Sequence, residues 1–190
     1  MPTPEVSGRA FLGLIHHLKE TKGPGALPGA LPQMPPSTRE AFATRILHGS
    51  WYPYQAYVGL LTGLDARFGT GDGTYCRELG HSSGSRDLST VFKVFRVLAS
   101  TERLIRGCSK VWSGYYRDAG AMEAVRWDPQ DTMLRISGFP EMAPVHCRLM
   151  EGWMTAAMNA LGVEVLDGRE TACSSRGAPH HEFACRWRKR

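Results

Sequence analysis

The feature that most constrains this chain is a change of hydrophobic period near residue 120. Before it, apolar residues recur at helical spacing: Phe11, Leu14, Ile15 and Leu18, then Tyr57, Leu60, Leu61 and Leu64, then Leu88, Val91, Phe92, Phe95 and Leu98. After "DAG" the pattern alternates instead. "AMEAVRWD" and "TMLRISGF" flank the turn signal "DPQD", which predicts a β-hairpin. "PVHCRLMEGWMTAAMNALG" returns to the helical period, with Pro144 in the first turn and Gly162 as the stop. "VEVLDGRETACSS" and "HEFACRWR" then read as two closing strands around an "RGAP" turn. Helices, two strands, one helix and two strands make an α+β fold. Its N-terminal helices should pack on one face of a roughly four-stranded antiparallel sheet.

The N-terminal part divides further. Ser7 can cap the first helix, which should end near Gly23. Five prolines between positions 24 and 36 then predict a loop that could act as a mobile linker. Residues 1–36 are therefore read as a helix plus a Pro/Gly-rich loop, and 37–190 as one α+β domain. Ser37 and Glu40 form a capping box, and a helix should begin near Pro53. Short helices follow at "TYCRELGHSS" and "DLSTVFKVFRVLAS", and a further one at "TERLIRGCSKVWSGYY", opened by Thr101.

Composition narrows the function classes. A chain of 190 residues, 42% hydrophobic and 22% charged, is globular. It is long enough to bury roughly 70% of its unfolded surface. No apolar run reaches the ~20 residues of a membrane span, and "MPTPEVSGRA" lacks the features of a signal peptide, so a cytoplasmic location is expected. Five cysteines, an odd number, should then be reduced and serve as core residues or ligands. The net charge of +5 is spread along the chain, with only the tail "CRWRKR" concentrated, which argues against a nucleic-acid partner. "GTGDG" follows a helix, so it reads as a turn and not a phosphate loop. No acid, base or nucleophile set emerges, and no enzyme is expected.

The end of the chain carries the strongest chemistry. Cys147 falls in the first turn of the 144–160 helix, Glu170 and Cys173 near a strand end, and His181 at the start of the last strand. All four residue types can ligate zinc, and four ligands close a tetrahedral structural site. Residues 170 and 173 have opposite strand parity, so both reach one ion only if the strand bulges or ends between them. The residues alone leave a second reading open, in which the cysteines are buried apolar side chains and His181 a turn residue. Cys185 is a further candidate ligand.

With "HCRLMEGWMTAAMNALG", "ETAC" and "RGAPHHEFACRW" in that order, residues 88–187 resemble the 4-vinyl reductase domain superfamily. That group includes sensor domains of phenol- and aromatic-responsive transcription activators, related in fold to TRAPP vesicle-tethering subunits. The resemblance puts Cys147, Glu170 and Cys173 on metal-ligand positions, with His181 where the family carries a final cysteine. It implies a structural zinc ion. The whole chain also resembles a myxobacterial family of small proteins, through Trp51-Tyr52-Pro53, "DLSTVFKVF", "VWSGYY" and "SGFPEMAPVHCRLMEGW".

Phe92, Phe95, Trp112, Tyr116, Trp127 and Trp153 are read either as ordinary core or as the walls of an apolar ligand pocket between helices and sheet. The related sensors bind aromatic or otherwise apolar molecules in that layer. The expectation is therefore a non-enzymatic ligand-binding or sensory domain with structural zinc, signalling through a protein partner or a homodimer formed by the 7–22 helix. The alternative is an interaction scaffold of the TRAPP-subunit type, with a filled core and no ligand.

Overall fold

The computed structural model describes residues 2–91 and 100–189. Phe92 and Phe95 lie outside these described residues. The fold is α+β, as the change of period predicts, but among the described residues it has two antiparallel sheets and not one. Strands β1 (Glu5–Ser7), β2 (Trp51–Pro53) and β3 (Tyr116–Arg117) form a small sheet in the order β2-β1-β3. Strands β4 (Ala121–Asp128), β5 (Asp131–Ser137), β6 (Val163–Ala172) and β7 (His181–Lys189) form the larger one, in the order β4-β5-β7-β6. The small sheet escapes sequence reading because strands of two or three residues are too short to show a period.

Helix α1 (Gly8–Lys22) is capped by Ser7, whose Oγ accepts from the Arg9 amide at 3.4 Å. The proline-rich segment holds a short helix α2 (Ala26–Ala30) and a 3₁₀ turn at Leu31–Gln33, more ordered than the predicted loop. Val6, Phe11, Leu14, Leu18 and Met34 of this N-terminal region are buried in the core that the rest of the chain builds. Helix α3 (Pro36–Ala41) starts one residue before Ser37, so the Ser37–Glu40 capping box does not form. Helix α4 (Tyr54–Phe68) buries Tyr57, Leu60, Leu61 and Leu64, as its period requires. "GTGDG" is a turn, with Gly71 and Gly73 at positive φ. The buried Asp65 carboxylate closes it, accepting from the Gly73 amide at 2.8 Å and the Tyr75 amide at 3.2 Å.

The two helices expected at "TYCRELGHSS" and "DLSTVFKVFRVLAS" are one, α5 (Thr74–Val91), within the described residues. Its glycines do not end it because they face α8 (Pro144–Ala160). A β-carbon on Gly80 would collide with the Leu149 carbonyl, one on Gly84 with the Trp153 carbonyl, and one on Gly152 with the Arg77 carbonyl. The two backbones touch where an ordinary helix pair is held apart by side chains. Conversely, the single helix expected from Thr101 is two, α6 (Thr101–Arg106) and α7 (Cys108–Ser113), broken at Gly107 and capped by the Ser100 hydroxyl.

Helix α8 lies on one face of the larger sheet. Thr132, Leu134 and Ile136 of β5, with His181, Phe183, Cys185 and Trp187 of β7, turn inward toward it. The alternation read for the last strand is thus present. None of the described helices is long and apolar enough to cross a membrane.

Gly152→Ala and Gly80→Ala should each lower unfolding stability by about 1–3 kcal/mol, since the colliding atoms are backbone and cannot rotate away. Urea denaturation followed by circular dichroism measures this. Wild-type stability in both variants would show that the helices are not in backbone contact.

Candidate functional site

The four residues singled out near the C-terminus converge. Strand β6 shifts register between Glu170 and Ala172, and Cys173 stands beyond its end, leading into a 3₁₀ turn at Ser174–Arg176. Both departures from regular strand that the parity of 170 and 173 demands are present. Helix α8 presents Cys147 from its first turn, and β7 opens with His181. One donor atom from each of Cys147, Glu170, Cys173 and His181 lies within 4.8 Å of the others.

These side chains are interlocked. His181 Nδ1 is 3.3 Å from Glu170 Oε1 and 3.4 Å from Cys147 Sγ, while Nε2 is 2.6 Å from Ser174 Oγ. Arg176 donates to Glu170 Oε2 at 2.7 Å, and Cys173 Sγ is 2.9 Å from Ser175 Oγ. Burial acts to raise the Glu170 carboxyl, but hydrogen bonds from His181, Cys147 and Cys173, with the Arg176 charge, outweigh it and hold the carboxyl at about 2. Burial, followed by the Glu170 carboxylate, pushes the Cys147 thiol well up. One turn along α8, the buried Glu151 accepts the Glu170 amide at 2.8 Å. The cluster is a clasp between α8 and the closing hairpin. Cys185 is not part of it, and His180 faces Glu182 at 3.2 Å.

A second feature lies further along α8. A cavity of about 70 Å³ is lined, among the described residues, by side chains of α1, α5, α6, α7, α8 and the larger sheet. Of the predicted pocket residues, Trp112, Tyr116 and Trp153 line it. Trp127 does not; it packs on Trp187, with ring centroids 5.7 Å apart. Leu104, Met150, Met154 and Met158 complete much of the apolar wall. Sequence reading missed a polar corner made by Arg9 and Gly13 of α1 with Ser83 and Asp87 of α5. Their i, i+4 spacing on two facing helices is the signal that could have found it. Asp87 Oδ2 accepts from the Tyr115 hydroxyl at 2.5 Å and from Trp153 Nε1 at 3.0 Å.

Sequence reading also missed His146, which is fully buried beneath this cavity. Its Nδ1 is 3.0 Å from the Tyr54 hydroxyl and its Nε2 2.7 Å from the Tyr116 hydroxyl. Tyr54 also accepts the Ala143 amide at 2.9 Å. Tyr116 stacks on Trp112 with centroids 4.1 Å apart. A cavity wall, the start of α8 and α4 are thus joined through one imidazole. The neighbouring position, Cys147, begins the clasp.

No protein-family model matches the chain, and no curated protein sequence does. Solved structures do. An H-NOX protein from S. oneidensis in the Fe(II)NO ligation state superposes with a TM-score of 0.73 at 13% identity, over 96% of this chain and 99% of that one. The Fe(II) unliganded H-NOX protein from K. algicida gives 0.67 at 10% identity over 97% of both chains. A trafficking protein particle complex subunit 3 from Naegleria fowleri, covalently bound to palmitic acid, gives 0.53 at 11% identity over 71% of this chain and 92% of that one. The chain therefore has the fold of H-NOX proteins, shared over a smaller part with a trafficking-complex subunit.

These comparisons correct the zinc expectation. The H-NOX structures that match nearly the whole chain are described with Fe(II) and not with zinc, so zinc is withdrawn as the cofactor. The residues here do not fit an iron centre either. None of the chain's seven histidines lines the cavity, and both nitrogens of His146 are engaged by tyrosine hydroxyls. Of the lining tyrosines, Tyr115 is held by Asp87 and Tyr116 by His146, and burial pushes the thiols of the lining Cys108 and Cys185 up, which disfavours a thiolate ligand. A prosthetic group would also need a pocket on the order of several hundred Å³, far beyond the space enclosed.

Burial, followed by the charge of His181, lowers the His146 pKa from 6.5 to about 3. The folded state thus refuses a proton that the unfolded chain takes up. The stability this residue contributes is complete above pH 6.5 and is lost as pH falls toward 3. His146→Gln should reduce the slope of unfolding free energy against pH in that window by up to about 1.4 kcal/mol per unit. Denaturation at a series of pH values checks this, and an unchanged slope would contradict the buried neutral imidazole.

Proposed function

We propose that this chain is a non-enzymatic sensory domain of the 4-vinyl reductase type, which binds a small apolar molecule between its helices and its larger sheet. The observation that carries this reading is the cavity walled by Trp112, Tyr116 and Trp153. A core packed only for stability closes such space, because each void forfeits contact energy. The structural likenesses support it as well: one solved relative is described with Fe(II)NO and another with palmitic acid. In this chain the ligand is a free organic molecule, held without iron.

The clasp of Cys147, Glu170, Cys173 and His181 holds the start of α8 in register with the closing hairpin. His146 lies beside Cys147 and touches the cavity wall through Tyr116, so occupancy of the cavity acts on the same end of α8. The output passes to a protein partner or a second copy of the chain in the cytoplasm. The likeness to a trafficking-complex subunit favours one other reading, an interaction scaffold of that type with no ligand.

Native mass spectrometry of gently purified protein separates the two readings. The sensory reading expects a bound mass that is lost on denaturation and recovered in an organic extract. A chain that stays at its bare mass, even after incubation with small apolar compounds, would leave the scaffold reading.

A further inference from the structure

The cavity has two chemically different ends. Toward the sheet and α8 it is bounded mainly by methionine, leucine and tryptophan side chains, with Cys185 and with Thr132, whose hydroxyl donates to the Arg126 carbonyl at 2.8 Å. Where α1 crosses α5 it carries a hydroxyl, a carboxylate and a guanidinium. The hydroxyl is the informative one. Ser83 is 9% exposed, and its Oγ is buried with no hydrogen-bond partner among the described residues. An unpartnered buried hydroxyl costs about 1–3 kcal/mol, so its retention needs a reason. It faces Gly13, where a β-carbon would stand 3.0 Å from the oxygen, and both residues line the cavity. The missing side chain at position 13 keeps the space beside the hydroxyl open.

The charges at this end are balanced. Asp87 is anchored by Tyr115 and Trp153. Arg9 lies over the Tyr115 ring, its guanidinium carbon 5.3 Å from the centroid, and bonds His48 through Nε at 3.3 Å. One positive and one negative group thus flank the hydroxyl. A carboxylate that paired with Arg9 would also meet Asp87, and an ammonium that paired with Asp87 would also meet Arg9, so the gain for either charged head is offset by the like charge beside it. A neutral group that both donates and accepts meets no such cost.

The geometry points to a head-group subsite at Ser83, selecting a short amphiphile with a neutral hydroxyl on an apolar body. The alkyl part lies between Trp112 and Trp153, and the hydroxyl exchanges hydrogen bonds with Ser83 Oγ beside Asp87 and Arg9. The space suits a short ligand, on the order of six non-hydrogen atoms. This inference rests on the sensory reading and adds the chemistry of its ligand.

The test uses the full chain and three probes of one length: 1-pentanol, pentanoate and pentylammonium. Binding is followed by the fluorescence of Trp112 and Trp153. The alcohol should bind about tenfold more tightly than either ion. Ser83→Ala should weaken the alcohol about fivefold and leave the ions unchanged. Gly13→Ala, which fills the space beside the hydroxyl, should weaken it at least as much. Alcohol binding that is indifferent to Ser83→Ala and Gly13→Ala, or pentanoate binding as well as pentanol, overturns the subsite while leaving the cavity as a binding site. No response to any probe overturns the sensory reading and the subsite together.

Discussion

The backbone contact between α5 and α8 is the constraint on which the rest depends. Gly80, Gly84 and Gly152 let two helices approach until carbonyl oxygens stand where β-carbons would be. At that distance Cα–H···O contacts replace side-chain packing. Both functional regions follow from it. Helix α5 carries Ser83 and Asp87, and α8 carries Trp153, so the close crossing sets the width of the cavity's polar end. Helix α8 also carries His146 and Cys147, so the same crossing fixes where the clasp can close. Adding one methyl group at the crossing would disturb both sites, though neither contains a glycine of the pair.

The order of elements after residue 120 was legible because strands and helix there have clean periods and strong punctuation. Pro144 and Gly162 bracket α8, and His181, Phe183, Cys185 and Trp187 alternate inward along β7. Spacing was misleading where glycine has a packing role. Two helices were read on either side of Gly84, although Gly80 and Gly84 are contact points within one. Gly107 read as helix interior, although it divides α6 from α7. The clasp was legible as a set of four residues because the parity conflict between Glu170 and Cys173 required a bulge or strand end, and both are present. The zinc inferred from that set did not survive comparison with the solved structures. His146 was invisible in sequence, since a histidine on an apolar helix face gives no sign of the tyrosines that engage it from α4 and β3.

The fold carries different chemistry in different chains. In H-NOX structures it is described with iron(II), and in a trafficking subunit with a fatty acid. In this chain histidine is absent from the cavity lining, and the imidazole nearest to it is locked by two hydroxyls. The charged side chains that line the cavity, Arg9 and Asp87, stand at one end. A cavity with a dry wall and one hydrogen-bonding corner recognises orientation as well as shape, because a reversed ligand would leave Ser83 unpaired and put its own hydroxyl against methionine.

Methionine provides the most direct test that this space is a binding site. Met122, Met150, Met154 and Met158 line the cavity, whereas Met34 and Met142 are buried without lining it. Methyl NMR of protein labelled at methionine, titrated with a short apolar alcohol, should move the first four signals in a saturable manner and leave Met34 and Met142 in place. Equal small shifts at every methionine, or no saturable shift in the four lining residues, would contradict a ligand cavity in this chain.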